Sequence, residues 1–324
     1  MTPSMRTVAA AFAALALAVG TSALAQSQYP NKPIRLVLQF PAGGLADTVC
    51  RVLANPLSQQ LGQPIIVDNR PGADGAIAGE TVARAAPDGY TLFFATNSAL
   101  SAVPARRKTP PYDPVADFTP ISFIGRFPFF VFAHPGIPAK TLADFVVYAR
   151  ANPGKLNYGT GNTTSIMATA QLSMLANLQM VHVLYRGDAP LMNDLVSGRL
   201  HVAIASTAPA AGLANDGKLR VLGTLLSRRS PLFPEAPTMA ESGFPQYSLV
   251  SWGGMFGPAN LPRDIVERLA REFNAAILKP EVKEPLDRFG YELQGSTSQE
   301  LGVFVKDQFE LWKRAVREAG IPPE

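Results

Sequence analysis

The chain contains very little cysteine. Cys50 is the only one among 324 residues, which excludes a fold held together by internal disulfides. With 47% hydrophobic and 17% charged residues, the protein can instead be stabilised by packing. Cys50 lies just inside a predicted helix, where a reactive thiol of lowered pKa is conceivable. A buried, small apolar side chain is the commoner role for such a cysteine.

Signatures of catalysis are also lacking. The three histidines, His134, His182 and His201, do not have the spacing of metal ligands. Neither a Gly-x-Ser-x-Gly nucleophile motif nor a Gly-Lys-Ser/Thr phosphate loop occurs. The sequence therefore predicts no catalytic residue, no metal and no cofactor. An exported enzyme remains the less favoured alternative, which turnover of a carboxylic acid by the purified protein would revive.

Positive charge is not concentrated. The formal net charge is +4, and Arg106-Arg107-Lys108 is the only basic run. A nucleic-acid-binding protein normally carries a dense positive stripe along one surface. We therefore expect no nucleic-acid partner.

Only the N-terminus carries a long uncharged apolar stretch. Arg6 precedes residues 7–20, and Ser22-Ala23-Leu24-Ala25 offers a cleavage site for a signal peptidase. Residues 1–25 are thus predicted to be a signal peptide, and no cysteine follows the site to take a lipid anchor. No later stretch is long and apolar enough to span a bilayer. The prediction is a soluble exported protein, most simply one of a bacterial periplasm.

Short apolar runs alternate with helix-length segments along the mature chain. Continuous apolar strands separated by helices are typical of parallel or mixed sheets covered on both faces, so the predicted fold class is α/β. Thr297 to Glu300 reads as a capping box before a C-terminal helix, and Pro262 and Pro280 are expected to bracket another helix. The predicted strands are 34–40, 64–68, 91–95, 156–159, 181–185, 200–205 and 219–226.

Two extended segments, 118–134 and 247–258, could each run between lobes. The chain then divides into one lobe of residues 26–125 plus 253–324 and an inserted lobe of residues 126–252. A ligand cleft would lie between the lobes, because ligands of open α/β sheets bind at the carboxyl ends of strands.

The loop after the first predicted strand has the features of an anion site. Phe40-Pro41-Ala42 is followed by Gly43, Gly44, Leu45, Ala46 and Asp47, and a helix-like segment starts at Thr48. A strand that breaks at paired glycines and continues as a helix leaves unpaired N–H groups at the positive helix end. The alternative is an ordinary turn in which Asp47 only caps the helix.

The loop after the predicted strand 156–159 repeats this chemistry. Gly159 and Gly161 allow close backbone approach, and side-chain donors surround a second helix start. The alternative is that these side chains only cap the helix. Two facing anion sites would imply an acid ligand. The candidate residues are Thr160, Gly161, Asn162, Thr163, Thr164 and Ser165.

Other candidates follow strand ends. Asn97 and Ser98 follow one predicted strand, and Ser206 follows another, with ambiguous roles. Arg186 could hold a second carboxylate in a forked pair, or be solvated. Asp188 could bind an amine or hydroxyl of the ligand, or cap a helix.

Three phenylalanines, Phe127, Phe129 and Phe130, lie where the first crossing segment should pass the cleft. They could favour an aromatic or long-chain acid, although a buried core is the commoner reason for such a run.

Several longer motifs resemble those of Bug-type receptors, the periplasmic solute-binding proteins of tripartite tricarboxylate transporters. The similarity covers essentially the whole mature chain. Its motifs include Phe40-Pro41-x-Gly43-Gly44-x-x-Asp47, Asp68-Asn69-Arg70-Pro71-Gly72-Ala73-x-Gly75, Pro87-Asp88-Gly89-Tyr90-Thr91-Leu92, Ala151-Asn152-Pro153-Gly154-Lys155-Leu156-Asn157-Tyr158-Gly159 and Pro237-Thr238-x-x-Glu241-x-Gly243.

The resemblance implies a type II, two-lobed periplasmic-binding-protein fold that closes on a small organic acid. It implies delivery of the acid to membrane permease subunits, and it places residues 43–47 and 160–165 on the two ligand loops. We expect the receptor to be a monomer. Ala42 and Asn162-Thr163-Thr164 depart from the family pattern, so side chains could replace backbone or water contacts there. A periplasmic sensor that signals to a membrane receptor uses the same closure and stays open as an alternative.

Overall fold

Two β-sheets flanked by helices make up the described part of this computed structural model, residues 29–185, 187–207 and 210–318. The predicted signal peptide and Arg186 lie outside the described residues. Among the helices of the described ranges, none has both the length and the apolar character needed to cross a membrane.

The first sheet has six strands in the order β11-β4-β10-β3-β1-β2. Strand β1 pairs in parallel with β2 and β3, whereas β10 runs antiparallel to β3 and β4. The carboxyl ends of β1, β2 and β3 therefore meet at one edge. The strands are β1 (Ile34–Leu38), β2 (Ile65–Asn69), β3 (Thr91–Thr96), β4 (Phe118–Arg126), β10 (Trp252–Pro258) and β11 (Glu292–Leu293).

The second sheet has five strands in the order β7-β6-β8-β5-β9. Strand β6 pairs in parallel with β7 and β8, and β5 is antiparallel to β8 and β9. The strands are β5 (Phe129–Ala133), β6 (Asn157–Thr160), β7 (Val181–Leu184), β8 (Val202–Ser206) and β9 (Arg220–Thr224).

Helices cover both sheets and supply the segments that follow the strands. They are α1 (Leu45–Leu61), α2 (Ala76–Ala83), α3 (Val103–Arg106), α4 (Leu142–Ala151), α5 (Thr163–Ala176), α6 (Asp188–Val196), α7 (Ala211–Asn215), α8 (Arg263–Ala276), α9 (Pro280–Asp287) and α10 (Ser298–Glu318). A short 3-10 turn (Ala73–Gly75) precedes α2, and a π turn (Ser98–Ala102) precedes α3.

The α/β fold class is confirmed, and each predicted strand is present with its ends displaced by two residues or fewer. Helix α10 begins with the expected capping box, in which Thr297 and Glu300 exchange hydrogen bonds of 2.8 and 3.1 Å. One expectation is wrong: Pro280 starts α9 and does not end α8, which stops four residues earlier at Ala276. The pyrrolidine ring suits a first helical position because its missing N–H has no partner there anyway.

Two links join the sheets: residues 127–128 between β4 and β5, and residues 225–251 between β9 and β10. Helix α10 packs against both sheets. Its Leu301 belongs to the core around Trp252 of the first sheet, whereas Trp312 belongs to the core of the second. The division into lobes at residues 125 and 253 stays a prediction.

Cys50 is fully buried in the core beneath the first sheet. Desolvation raises the pKa of its thiol well above the ordinary value. It is therefore a small apolar core residue and not a reactive nucleophile.

Candidate functional site

A cavity of about 700 Å³ lies at the carboxyl ends of strands from both sheets. It is bounded by the loops after β1, β2, β3 and β6 and by the two inter-sheet links. The lining residues are Gln39, Phe40, Pro41, Gly44, Leu45, Ala46, Pro71, Gly72, Ala73, Asp74, Gly75, Thr96, Asn97, Ser98, Phe127, Phe129, Gly161, Asn162, Thr163, Thr164 and Ser251.

The first ligand loop presents the N-terminus of α1 to this cavity. Gly44 is the residue before the helix, has extended φ and ψ of −82° and 171°, and carries no side-chain cap. The first N–H groups of a helix have no acceptor within the helix. Because Gly44, Leu45 and Ala46 line the cavity, these donors and the positive helix end are available to an anion.

Asp47 lies beneath this loop and does not line the cavity. Its carboxylate accepts hydrogen bonds from Arg51 Nε at 2.8 Å, the Gly43 N–H at 3.0 Å and Asn69 Nδ2 at 3.0 Å. The Arg51 hydrogen bond, opposed by burial, lowers the pKa of Asp47 to about 2. Asp47 thus fastens the glycine turn to both α1 and β2, and Arg51 offsets its charge.

The second ligand loop is organised by neutral groups. Asn162 Oδ1 accepts the Ser165 N–H at 2.9 Å, while Ser165 Oγ accepts the N–H groups of Gly161 at 3.1 Å and Asn162 at 3.2 Å. This is a capping box for α5, and it fully buries Ser165. Thr163 and Thr164, the first two residues of the helix, are left on the cavity wall.

Asp188 supports the second loop from behind. One carboxylate oxygen accepts from Asn162 Nδ2 at 2.9 Å, and the other accepts from Ser206 Oγ at 2.7 Å. Asp188 therefore connects the ends of β6 and β8 and does not line the cavity. Thr160 Oγ1 lies 2.6 Å from His182 Nε2, so its hydroxyl is also occupied.

Two polar contacts cross from the first-sheet side to α5. Asn97 is 1% exposed and donates from Nδ2 to Thr164 Oγ1 at 2.9 Å. Its Oδ1 accepts from Ser251 Oγ at 3.3 Å, so Asn97 also contacts the second inter-sheet link. Arg106 Nη1 donates to Thr163 Oγ1 at 3.2 Å. These contacts couple the position of α5 to that of the first sheet.

The loop after β2 was missed as part of the site. Its residues Pro71 to Gly75 line the cavity because β2 is parallel to β1 and ends at the same edge, with Asn69 opposite Leu38. The sequence signal was present in the turn-forming Pro71-Gly72 pair after an apolar strand. Sequence reasoning also missed Gln39, Thr96 and Ser251 on the wall.

The aromatic run is divided by strand alternation. Phe127 and Phe129 line the cavity, whereas Phe130 points to the opposite face of its sheet and packs against Phe132 and Phe233. Two of the three phenylalanines are therefore placed where they can contact a ligand.

The sequence-predicted site residues fall into two groups. On the cavity wall are Gly44, Leu45, Ala46, Asn97, Ser98, Gly161, Asn162, Thr163 and Thr164. The lining does not include Gly43, Asp47, Thr160, Ser165, Asp188 and Ser206. Arg186 lies outside the described residues.

Two sheets joined by two links, with a donor-rich cavity at their strand ends, form the architecture of a solute-binding protein. A family model described as the tripartite tricarboxylate transporter family receptor matches residues 49–321. The chain belongs to this family.

Individual relatives agree with this assignment. Protein BugT of Bordetella pertussis is 32% identical over 297 residues, covering 90% of each chain. An R. palustris protein solved with adipate is 31% identical, with a TM-score of 0.75 over 91% of this chain and 100% of its own. MatC from Rhodopseudomonas palustris, solved with bound malate, is 28% identical, with a TM-score of 0.71 over 89% of this chain and 100% of its own.

Proposed function

We propose that this protein is a periplasmic receptor that captures a small organic acid by closure of the cleft. The acid would be a mono- or dicarboxylate, with an aromatic group as a further possibility beside Phe127 and Phe129. The receptor would then deliver it to the membrane subunits of a tripartite tricarboxylate-type transporter. The observation that carries the proposal is that the N-termini of α1 and α5, one beside each sheet, line the same cavity.

A carboxylate fits this arrangement for two physical reasons. Each helix start offers N–H donors and a partial positive charge, and the two act from opposite sides of the cleft. A ligand that touches both sides also binds the closed form more tightly than the open one. That differential affinity is what allows binding to drive closure.

Relatives support the same ligand class and compartment. Adipate and malate, bound by the two R. palustris proteins, are both dicarboxylates. The predicted signal peptide at residues 1–25 favours export to the periplasm.

A thermal-shift titration of ligand-free mature protein tests the proposal. The screen contains aliphatic, aromatic and amino-substituted carboxylic acids, each paired with the alcohol or amide of equal length. An acid at a hundred times its dissociation constant should add about 2.7 kcal/mol of stability and raise the midpoint by several degrees. The paired neutral compounds should not.

The Gly44→Val variant tests whether the loop before α1 forms part of the binding site. The backbone at Gly44 is extended, and a Cβ there meets only the Pro41 carbonyl oxygen at 4.0 Å, so the fold accepts a side chain that enters the cavity. Binding should fall at least tenfold, whereas stability should fall by only about 1 kcal/mol, the cost of replacing a glycine helix cap. Gly212→Val, at another uncrowded glycine outside the cavity lining, is the control. Full affinity in Gly44→Val, or no response to any acid by folded wild-type protein, would contradict the proposal.

A further inference from the structure

The cavity wall carries one charged side chain among the described residues, and it is negative. Asp74 lies in the loop after β2, with its side chain 56% exposed. No lysine, arginine or histidine of the described ranges contributes to the lining. The helix N-termini can hold one carboxylate, but the part of the wall formed by described residues provides no lining cation for a second.

The backbone that carries the Asp74 side chain is fixed by a tight turn. Ala73 and Asp74 both have left-handed φ values, 47° and 56°. The turn is closed by the Gly75 N–H bonding to the Gly72 carbonyl at 3.0 Å and by Ser98 Oγ donating to the Asp74 carbonyl at 2.7 Å. Non-glycine residues in this conformation persist only when neighbouring contacts impose it, and such positions cluster at ligand clamps.

Asp74 keeps acceptor capacity despite a nearby cation. Arg106 Nη1 lies 3.8 Å from the carboxylate, which is ion-pair range and beyond hydrogen-bond length. The same nitrogen donates to Thr163 Oγ1, so its hydrogen bond is directed to α5. A carboxylate has about four lone-pair sites, so Asp74 can still accept from a ligand.

Gln39 adds a neutral donor beneath the same loop. Its Oε1 accepts the Thr96 N–H at 3.3 Å, and this fixes the amide orientation because a backbone N–H needs an acceptor. Its Nε2 lies under Gly75, 2.7 Å from the place a Cβ would occupy, and bonds to no acceptor in the described part of the chain. The Gln39 amide is therefore an unpaired, buried donor directly beneath the loop that carries Asp74.

We propose that the ligand carries a second, nitrogen-bearing polar group, an amine or carboxamide, which donates to Asp74, and that Asp74 disfavours a second carboxylate. The inference rests on the proposed function, in which the first carboxylate binds at the helix N-termini. An N–H donor meets the anionic oxygen with attraction. A carboxylate there would face the charge of Asp74 with repulsion.

A matched set of acids distinguishes a preference for a nitrogen-bearing group from a preference for a second carboxylate. The probes are glutarate, its monoamide 5-amino-5-oxopentanoate, 5-aminopentanoate and hexanoate, each titrated by calorimetry at low and high salt. The same set is repeated with chains one carbon longer and one carbon shorter. Wild-type protein should bind the monoamide or the amine about tenfold more tightly than the dicarboxylate of equal length. The preference for the amine should shrink as salt increases.

Asp74→Asn removes the charge and keeps a residue that tolerates left-handed φ. The variant should bind glutarate roughly three- to tenfold more tightly and 5-aminopentanoate less tightly, with hexanoate unchanged. Asp216→Asn, an exposed aspartate outside the cavity lining, controls for net charge. Tighter wild-type binding of glutarate than of its monoamide, or an unchanged preference in Asp74→Asn, would overturn the inference. Binding of hexanoate by both proteins would still support the proposed function, whereas no binding by any probe would count against both.

Discussion

The two ligand loops present the same group to the cavity, a helix N-terminus, but are built differently. The loop before α1 is fastened by a charged pair, Asp47 and Arg51, beneath an open glycine turn. The loop before α5 is fastened by the neutral capping box of Asn162 and Ser165. The two helix N-termini are therefore held by a charged pair on one side and, on the other, by a neutral capping box that the Asp188 carboxylate supports.

Gly44 and Gly161, one in each loop, also differ in the space around them. At Gly44 an added Cβ meets one atom, at 4.0 Å. At Gly161 it would lie 2.6 Å from the Gly187 carbonyl carbon and 2.7 Å from the Asp188 nitrogen, and it would also collide with the Asp188 carboxylate. Gly44 thus leaves room for ligand, whereas Gly161 lets two backbone segments approach each other.

Replacing Gly44 and Gly161 with alanine should give the largest difference between the two loops, measured as the free energy of unfolding. We expect Gly161→Ala to lower the free energy of unfolding by about 3 kcal/mol, because backbone atoms must move to accept the methyl group. Gly44→Ala should cost less than about 1 kcal/mol, the difference between glycine and alanine as a helix cap. It should nevertheless weaken acid binding.

Urea denaturation and calorimetric titration of both variants measure this contrast. Equal stability of the two variants would show that both loops accept an added methyl group equally well, which would contradict the expected difference between them. Gly212→Ala provides the baseline for an uncrowded glycine outside the cavity.

The charged fastening of the first loop predicts a pH dependence. The pKa of Asp47 is about 2 in the folded protein, below its ordinary value of 3.8. The ionised form therefore stabilises the fold by about 2 kcal/mol above pH 4, and this contribution is lost as the pH falls towards 2. Asp47→Asn should be less stable than wild type at pH 7, and the difference should shrink between pH 4 and pH 2.

Unfolding of the Asp47→Asn and Ser165→Ala variants, followed from pH 7 to pH 2, compares the loops directly. Ser165→Ala removes a hydroxyl that bonds only to backbone groups of Gly161 and Asn162, so its deficit should stay constant across this range. A deficit of Asp47→Asn that does not change with pH would mean that Asp47 acts through shape and not through charge.

The sequence predicted both loops because glycine patterns after apolar strands are local signals. It could not predict that Asp47 is turned away from the cavity, since this depends on Asn69 arriving from β2. The loop at Pro71 to Gly75 was missed for a similar reason. Its place on the wall follows from the parallel register of β1 and β2, which brings residues about thirty positions apart to one edge.

The order of the strands within each sheet could not be predicted from the sequence either. Continuous apolar runs identified the strands, but the antiparallel placement of β10 between β3 and β4 depends on the return of the chain from the second sheet. Which of the side chains of Phe127, Phe129 and Phe130 line the cavity likewise depends on where β5 begins. Once Phe129 starts the strand, alternation sends Phe130 to the far face.

The smallest expected effect concerns the hydrogen bond between α5 and Asn97, which follows β3 of the first sheet. Thr164→Val keeps the side-chain shape but removes the oxygen that accepts from buried Asn97. Loss of a hydrogen bond that crosses the cleft should weaken the closed form by about 1 kcal/mol and raise the dissociation constant for the acid several-fold.

The matched control for this substitution is Thr169→Val, on the same helix, whose buried hydroxyl bonds to no group in the described part of the chain. This variant should bind as wild type and be at least as stable, because it removes an unsatisfied polar atom. Small-angle scattering without ligand gives the second readout, since a weakened closed form increases the radius of gyration. If both variants bind alike and have the same radius, closure of the cleft does not depend on the hydrogen bond between Asn97 and Thr164.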